Sequence, residues 1–415
     1  MSSLRKKLIK GTIWNSISQF GTVGCNFVLT IILARLLNPE DYGLLGMVMV
    51  ITGFLGYFSE FGMISSIIRK KNVDNMDTCT AFWSGVVFSL LIYVILFLVS
   101  PLIAIFYHRP ELTSISRCVS LVFFLGAYGF IPSALQIKEL KYGTISLISL
   151  CSIVLSGIAA VVVAFWGFGV WALVAQLLIQ RFLGSLGCFL FISWKPQWIF
   201  SWERFCALFS FGFHITINNL FKFLSENVDR LLIGRLLGST LLGYYTMAFR
   251  LSRFPTEKLW AVFGKMLFPA FAAMQGNFGR MKKNYFRVSL YGGLMFLPIV
   301  LILIFAAEPL IRWTVGEKWL PACNLIRIFS VYILILSVSF GDEPVMLLLD
   351  VKILNLLKVI QSILLFVLGY YAIRQYGVYG MAWTYVSCYL LFTSGLKVFI
   401  YKCLIKAKAK YPDGI

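Results

Sequence analysis

The chain has 415 residues, of which 60% are hydrophobic and 13% are charged, and its formal net charge is +20. Soluble domains carry about 25% charged residues, so this composition excludes an ordinary water-soluble protein and makes the bilayer the expected solvent. In a soluble protein such a basic balance would suggest nucleic-acid binding. Here Lys and Arg lie mostly between apolar runs, so membrane topology explains them and no nucleic-acid partner is expected.

Sequence patterns typical of metal sites and ATP binding are missing from the chain. The nine cysteines are scattered without a CxxC pair, and the two histidines, His108 and His214, are far apart in sequence. There is no glycine-rich phosphate-binding loop. We therefore expect no metal and no cofactor. The basic start, Met1–Lys10, precedes a helix that is too polar for a signal peptide, and we interpret that helix as a retained first span.

Apolar segments long enough to cross a bilayer, about 20 residues each, recur along the whole chain. The pattern predicts an all-α polytopic membrane protein with about twelve transmembrane helices. The first, seventh and eighth of these spans are polar enough that hydropathy alone could miss them. The predicted spans are 11–37, 42–68, 79–107, 113–136, 143–165, 169–193, 205–235, 241–268, 286–311, 321–349, 353–373 and 377–401.

The connections between these spans alternate between rich and poor in Lys and Arg. Basic loops stay in the cytoplasm, so the alternation predicts that both termini are cytoplasmic and that the number of spans is even. The basic side holds Arg69–Lys71, the residues around Lys138, Arg280–Arg287 and the tail from Lys397 to Lys410. No external connection exceeds about ten residues, which leaves little room for the catalytic loops of a membrane enzyme, and we expect no enzyme activity.

The two halves of the chain resemble each other. Ala34–Met47 aligns with Gly234–Met247 at an offset of 200 residues, and Gly167–Val174 resembles Gly377–Val386 near the end of each half. Six spans per half is an even number, so the repeats have parallel topology, and such halves pack around a central cavity that holds the substrate. We predict an N-terminal six-helix bundle over 1–193, a cytoplasmic linker over 194–204 and a C-terminal six-helix bundle over 205–415.

Basic residues are concentrated in the seventh and eighth spans, where acidic residues are fewer. A charge near the bilayer centre costs roughly 2.5–3.5 kcal/mol, so these side chains must pair or line a wet cavity. The basic residues are Lys222, Arg230, Arg235, Arg250, Arg253, Lys258 and Lys265, and the acidic ones are Glu226, Asp229 and Glu257. Polar stripes at helical spacing run along the first span, at Asn15, Gln19, Thr22 and Asn26, and along the seventh, at Asn219, Lys222, Glu226 and Arg230.

Two interpretations of these charges stay open. In the first, Lys222, Arg230, Arg250 and Arg253 line a cationic cavity together with Asn219, Gln19 and Asn26. In the second, Glu226 pairs with Arg230 and Arg253 with Glu257, while residues near helix ends reach the interface. The acidic residues Glu60, Glu226, Asp229 and Glu257 either couple transport to an ion or serve as structural partners. A surplus of fixed positive charge favours an anionic substrate such as a pyrophosphate.

Five stretches resemble the polysaccharide transporter branch of the MOP superfamily, the Wzx-type oligosaccharide-lipid flippases, and in particular exporters of colanic and teichuronic acid. They follow the order of the family and cover nearly the whole chain. The stretches are ARLLNPEDYGLLGMV (Ala34–Val48), GFGVWALVAQLL (Gly167–Leu178), NVDRLLIGRLLGSTLLGYYTMAFRL (Asn227–Leu251), FPAF (Phe268–Phe271) and VGEKWLPACNLIRIFS (Val315–Ser330).

The resemblance implies a flippase that moves an undecaprenyl-pyrophosphate-linked oligosaccharide across the bacterial inner membrane by alternating access. It implies a proton or sodium gradient as a driving force in some relatives. Membrane lipids and the machinery that polymerises polysaccharides are further expected partners. Two alternatives are a MATE-like multidrug exporter, which the basic surplus disfavours, and a membrane enzyme acting on lipid-linked sugars, which the short external loops disfavour.

Overall fold

A computed structural model describes residues 21–274, 277–349 and 351–410. Inside helices, it leaves out the side chains at 214, 218, 221–222, 255–266, 351–352, 355 and 406–410. Within the described ranges the regular elements are α-helices and one short 3-10 helix. Contacts divide the chain into two compact units, Met1–Leu224 and Ser225–Ile415. The boundary at the 194–204 linker was predicted from the internal sequence repeat, whereas these units are defined by contacts between residues. The predicted boundary therefore stays a prediction.

Unit 1 contains the first eight helices and the start of the ninth. Helix α1 covers Gly21–Leu36 of the described residues. The others are α2 (Pro39–Glu60), α3 (Met63–Arg69), α4 (Asn75–Tyr107), α5 (Leu112–Ala127), α6 (Phe130–Lys138), α7 (Tyr142–Phe165), α8 (Val170–Leu190) and α9 (Trp202–Leu237), the last of which continues into unit 2.

Unit 2 contains the end of α9 and the remaining helices. They are α10 (Ser239–Ala272), α11 (Phe278–Phe305), α12 (Ala307–Thr314), the 3-10 helix Glu317–Ala322, α13 (Cys323–Val338), α14 (Asp342–Leu349) and α15 (Val351–Lys410). Gly377 interrupts α15 with φ 59° and ψ −144°, so this long element is two helices joined at a kink. A core of buried side chains including Phe271, Met281 and Ile400 joins α10, α11 and α15.

All twelve predicted spans coincide with helices wherever the structure describes them. Seven helices are long and apolar enough to cross a membrane, or eight if the bent pair α5–α6 counts as one span. Helices α9 and α10 fail that test because of their polar residues, as the sequence predicts for spans seven and eight. Helix α1 falls short of the required length within the residues that the structure describes. The protein is therefore an all-α polytopic membrane protein.

Two predicted spans of unit 1 are broken helices. Phe61 and Gly62 both have positive φ, of 39° and 65°, which ends α2 and lets α3 start in a new direction. Helices α5 and α6 meet at an angle of 45°. At the first break the backbone of α9 comes so close that a Cβ on Gly212 would overlap the carbonyl oxygen of Phe61. One turn after this break, the hydroxyl of Ser66 in α3 donates to the carbonyl oxygen of Leu208 in α9 at 2.9 Å.

The linker between α8 and α9 lies against the N-terminal part of α4. Trp194 Nε1 donates to Asn75 Oδ1 at 3.0 Å, and Trp198 stacks on Trp83 with ring centroids 4.0 Å apart. Trp198 is nonetheless 87% exposed, as expected for an aromatic side chain at a membrane interface.

Arg204, at the start of α9, completes this contact. Its guanidinium lies 3.3 Å from carboxylate oxygens of both Asp74 and Asp77, and Asp77 is fully buried with Lys70 as a second partner. Asp74 caps α4 and accepts the backbone N–H of Asp77. That hydrogen bond, assisted by Arg204, holds the pKa of the Asp74 carboxyl below its usual range.

Candidate functional site

Two of the four predicted cavity cations meet on one aromatic ring of unit 2. The guanidinium carbon of Arg230, from α9, lies 5.4 Å from the centroid of Phe249, and that of Arg253, from α10, lies 5.3 Å from it. A guanidinium within about 6 Å of a ring centroid is attracted by the electron-rich face, more strongly where water is excluded. Arg230 and Arg253 therefore lie on the same ring, and their place in a cationic cavity stays a prediction.

Hydrogen bonds near the start of unit 2 hold Arg230 in place. Its Nη1 donates to Asn227 Oδ1 at 2.7 Å, one helical turn earlier. The neighbouring Asp229 is 1% exposed and accepts the hydroxyl of Tyr245 at 2.7 Å and the backbone N–H of Arg230 at 2.8 Å. The side-chain partner that the structure gives Arg230 is thus Asn227, where the pairing interpretation named Glu226.

Phe249 is itself fixed by a group of aromatic side chains. Its ring meets Phe329 edge to face at 5.1 Å, meets Tyr385 edge to face at 5.7 Å and stacks with Tyr332 at 6.1 Å. Such pairs contribute roughly 0.5–1.5 kcal/mol each beyond the burial of their surface. The helices α10, α13 and α15 thereby present the ring to both guanidinium groups in one orientation.

For the other predicted site residues the structure gives the exposure or a local contact, or does not describe the side chain. Arg250 and Glu226 are exposed and Asn219 is half-buried. The amide of Asn26 donates to the carbonyl oxygen of Thr22 within α1, at 2.9 Å. Gln19 lies outside the described residues, as do the side chains of Lys222 and Glu257.

A second charged cluster in unit 2 was not among the predicted site residues. Asp342, 3% exposed at the start of α14, accepts from Tyr285 at 2.7 Å and from the Lys397 ammonium at 3.0 Å. Lys397 also donates to the carbonyl oxygen of Val338, at the end of α13. Lys397, counted above with the basic tail, thus has a half-buried side chain that is held within unit 2. The sequence signal that could have indicated this cluster is Asp342, an aspartate within the apolar span 321–349.

Glu60 lies in a cavity of about 550 Å³ inside unit 1. Arg181, from α8, lines the same cavity, and its guanidinium stands 5.1 Å from the ring of Phe130. Glu60 Oε2 is buried without a hydrogen-bond partner. The acid of the second span therefore shares its surroundings with a basic residue. Whether it couples an ion or balances charge was left open by the sequence.

Comparison with known proteins identifies the family. The sequence profile described as "Polysaccharide biosynthesis protein" matches residues 32–324, which is most of the chain. The chain belongs to this family. Its resemblance to the polysaccharide transporters, noted from short stretches, is confirmed over the greater part of the molecule.

Individual relatives agree with the family. The chain is 29% identical over 340 residues to "Lipopolysaccharide biosynthesis protein WzxC" of Escherichia coli, covering 81% of this chain and 69% of that protein. It is 26% identical over 333 residues to "Teichuronic acid biosynthesis protein TuaB" of Bacillus subtilis, covering 80% and 69%. It is 25% identical over 325 residues to "Succinoglycan biosynthesis transport protein ExoT" of Rhizobium meliloti, covering 78% and 66%.

Two solved structures share the fold. "Lipid II flippase MurJ, inward closed conformation" superposes with a TM-score of 0.72 at 14% identity, covering 96% of this chain and 90% of that one. An inward-facing multidrug resistance MATE family transporter of the MOP superfamily superposes with a TM-score of 0.71 at 14% identity, covering 94% and 96%. The chain thus shares its fold with these two transporters.

Proposed function

We propose that this protein is a flippase that carries a lipid-linked oligosaccharide across the bacterial inner membrane for surface polysaccharide synthesis. The substrate would carry its sugars on undecaprenyl pyrophosphate and would cross by alternating access, with both termini of the protein in the cytoplasm. The observation that supports this most is the pair Arg230 and Arg253 over Phe249, placed in a membrane-spanning part of a polysaccharide biosynthesis protein.

The chemistry of that pair suits a pyrophosphate. Each guanidinium carries five N–H donors in a planar fork that matches phosphate oxygens, and Arg230 already donates one of its own to Asn227. Placing them in the bilayer costs free energy, which an anionic ligand would offset by neutralising them. In this proposal Arg230 and Arg253 bind the pyrophosphate, and Lys222 and Arg250 add to the positive field.

The remaining predicted residues take supporting parts in the proposal. Asn219, Gln19 and Asn26 would line the substrate path with neutral hydrogen-bonding groups. A proton or sodium gradient would drive the cycle, with Asp229 as a candidate coupling group. The machinery that polymerises the exported repeat would be a partner at the membrane.

Binding of undecaprenyl pyrophosphate to the purified protein tests the proposal. Hydrogen bonds between charged groups contribute about 1.5–3 kcal/mol, so Arg230→Ala or Arg253→Ala should weaken binding about tenfold or more. Arg230→Lys keeps the charge and loses the fork, so it should recover only part of the affinity. The control is Arg374→Ala, since Arg374 stands on Tyr370 elsewhere in unit 2 and should not matter.

Unchanged affinity in both alanine variants would contradict the assignment of the pyrophosphate to these arginines. A MATE-like multidrug exporter is the second candidate, favoured by the superposition on a MATE family transporter. Export of an organic cation such as ethidium by membrane vesicles containing the protein, with no binding of undecaprenyl pyrophosphate, would decide for that candidate.

A further inference from the structure

The cavity of unit 1 carries two charged side chains, one amide and several hydroxyl groups within an otherwise apolar lining. It lies between the break of α2 and α3, the bend of α5 and α6, and helices α7 and α8. Its volume of about 550 Å³ is in the range of small-molecule sites. Its polar lining consists of Glu60, Arg181, Gln180 and the serines 133, 149, 152 and 185.

One carboxylate oxygen of Glu60 lacks a hydrogen-bond partner in this cavity. This oxygen, Oε2, is buried and accepts no hydrogen bond from the protein. A buried acceptor without a donor is costly, which indicates that a donor arrives with a ligand. The guanidinium of Arg181 is held above Phe130 and against Gly126, where a Cβ would overlap its Nε. Arg181 is therefore positioned as a donor on the wall of the same cavity.

The serine hydroxyls complement these two charges. Ser133 donates to the carbonyl oxygen of Phe130 at 2.8 Å, and Ser152 donates to that of Ile148 at 2.7 Å. With their hydrogens engaged, the two serine oxygens remain available as acceptors. The cavity thus offers acceptors at Glu60 and the serines, donors at Arg181, and both at Gln180.

Other ligand classes fit this lining less well. A phosphate would meet Glu60 beside the single guanidinium, and like charges repel. A metal ion would meet Arg181, and no group of three His, Cys, Asp or Glu residues suited to a metal occurs among the residues described. A neutral polyhydroxylated ligand both donates and accepts at every hydroxyl, so it can use the donors and acceptors together.

We infer that the unit 1 cavity is a subsite for sugar residues of the transported molecule, with Glu60 accepting and Arg181 donating hydrogen bonds to ring hydroxyls. This rests on the proposed function, because it assigns the sugar portion of that substrate. It adds a site separate from the arginine pair of unit 2, so a substitution in the cavity should affect recognition of the sugars and leave that of pyrophosphate unchanged.

Two variants and one control test the subsite. Glu60→Gln keeps the shape of the side chain and removes the charged acceptor, and Ser149→Leu fills part of the cavity. Cys151→Leu is the control, because Cys151 is exposed on the same helix and does not line the cavity. Each variant is expressed in a strain that lacks the native gene and is purified for binding to sugar-free undecaprenyl pyrophosphate.

We expect surface polysaccharide to fall about fivefold in Glu60→Gln and about tenfold in Ser149→Leu, at equal protein abundance. Both variants should bind sugar-free undecaprenyl pyrophosphate within about twofold of the wild type. The control should match the wild type in both measurements. Normal polysaccharide levels with Ser149→Leu, or pyrophosphate binding lost in parallel with export, would overturn the sugar assignment.

Two further outcomes separate this inference from the proposed function. If the wild-type protein neither supports surface polysaccharide nor binds undecaprenyl pyrophosphate, the proposed function fails. If it does both, and native mass spectrometry shows a phospholipid that is retained by the wild type and lost in Glu60→Gln, the cavity is a lipid headgroup site and the sugar assignment is wrong.

Discussion

Phe249 shows how one uncharged residue can organise two charges. Its ring receives the guanidinium groups of Arg230 and Arg253, which come from different helices. Each contact is worth about 0.5–1 kcal/mol at exposed sites and about 2 kcal/mol or more when desolvated. The ring therefore fixes the spacing of the two cations without neutralising either of them.

We predict that Phe249→Leu weakens binding of undecaprenyl pyrophosphate about tenfold although both arginines remain. The reason is that the guanidinium groups of Arg230 and Arg253 lose the aromatic ring that holds them both in position. The measurement is the affinity of the purified protein. Phe296→Leu is the matched control, since Phe296 is equally buried in unit 2 and packs on Phe340. Equal effects of the two substitutions would show that loss of packing, and not positioning of the arginines, is responsible.

Asp342 and Lys397 provide a second prediction for single residues. Breaking a buried ion pair by removing one partner costs about 3–5 kcal/mol, because the remaining charge is uncompensated. We expect Lys397→Met to lower the unfolding temperature in detergent strongly. The double variant Asp342→Asn with Lys397→Met should be more stable than Lys397→Met alone. A double variant less stable than the single one would contradict charge pairing as the role of Lys397.

The sequence predicted residues of the site where charge stood out against an apolar background. Arg230 and Arg253 were found in this way, and the structure brings them together. Phe249 was not found, because its part depends on a ring orientation set by side chains of two other helices, α13 and α15. Asp342 and Lys397 were missed because Lys397 falls at the edge of a basic tail, where a positive charge needs no explanation. The partner of Arg230 at Asn227, one turn away, was hidden by the more obvious Glu226.

The internal repeat is clearer in the positions where helices begin than in the identity of the side chains. Helix α2 begins at Pro39 and α10 begins at Ser239, an offset of 200 residues that equals the offset of the aligned sequences. Gly169 and Gly377 precede the last helix of each half, with φ of 54° and 59° and ψ of −124° and −144°. Glycine adopts this conformation readily, which explains why these two short stretches look alike in sequence.

Helix α9 can cross close to the break between α2 and α3 because Gly212 has no side chain. We predict that Gly212→Ala destabilises the protein by about 1–3 kcal/mol, because its Cβ would overlap the carbonyl oxygen of Phe61. Thermal unfolding in detergent measures the change. Gly143→Ala is the control, since a Cβ there meets nothing within 4 Å and alanine favours the helix. Equal stability of the two variants would refute close packing at the crossing.

For the whole molecule, twelve spans followed from apolar length and from alternating loop charge. The polar residues of α9 and α10 lower their hydropathy below that of a typical span, and the alternation of loop charge identified these two spans instead. The breaks at Phe61–Gly62 and between α5 and α6 were not predicted. Both lie inside apolar runs, where left-handed backbone at a non-glycine residue such as Phe61 leaves no compositional signal.

Orientation in the membrane gives a prediction at this scale. A reporter fused after Lys283 should be cytoplasmic, and one fused after Asn38 should be external, because basic connections remain inside. Alkaline phosphatase activity, which requires export, and fluorescence of a cytoplasmic reporter give complementary readings at each position. The same side for both positions would rule out the predicted topology.

The division of the chain within α9 bears on how the protein is made. The start of α9 belongs to unit 1, where Leu208 joins a core with Met63 and Phe82 and where Phe205 and Phe209 pack against it. A ribosome that has finished the sixth span has therefore not yet supplied all the side chains of that core. Folding of the first unit must therefore wait until the start of α9 has been synthesised. A chain cut at the linker would leave this part of the unit 1 core exposed.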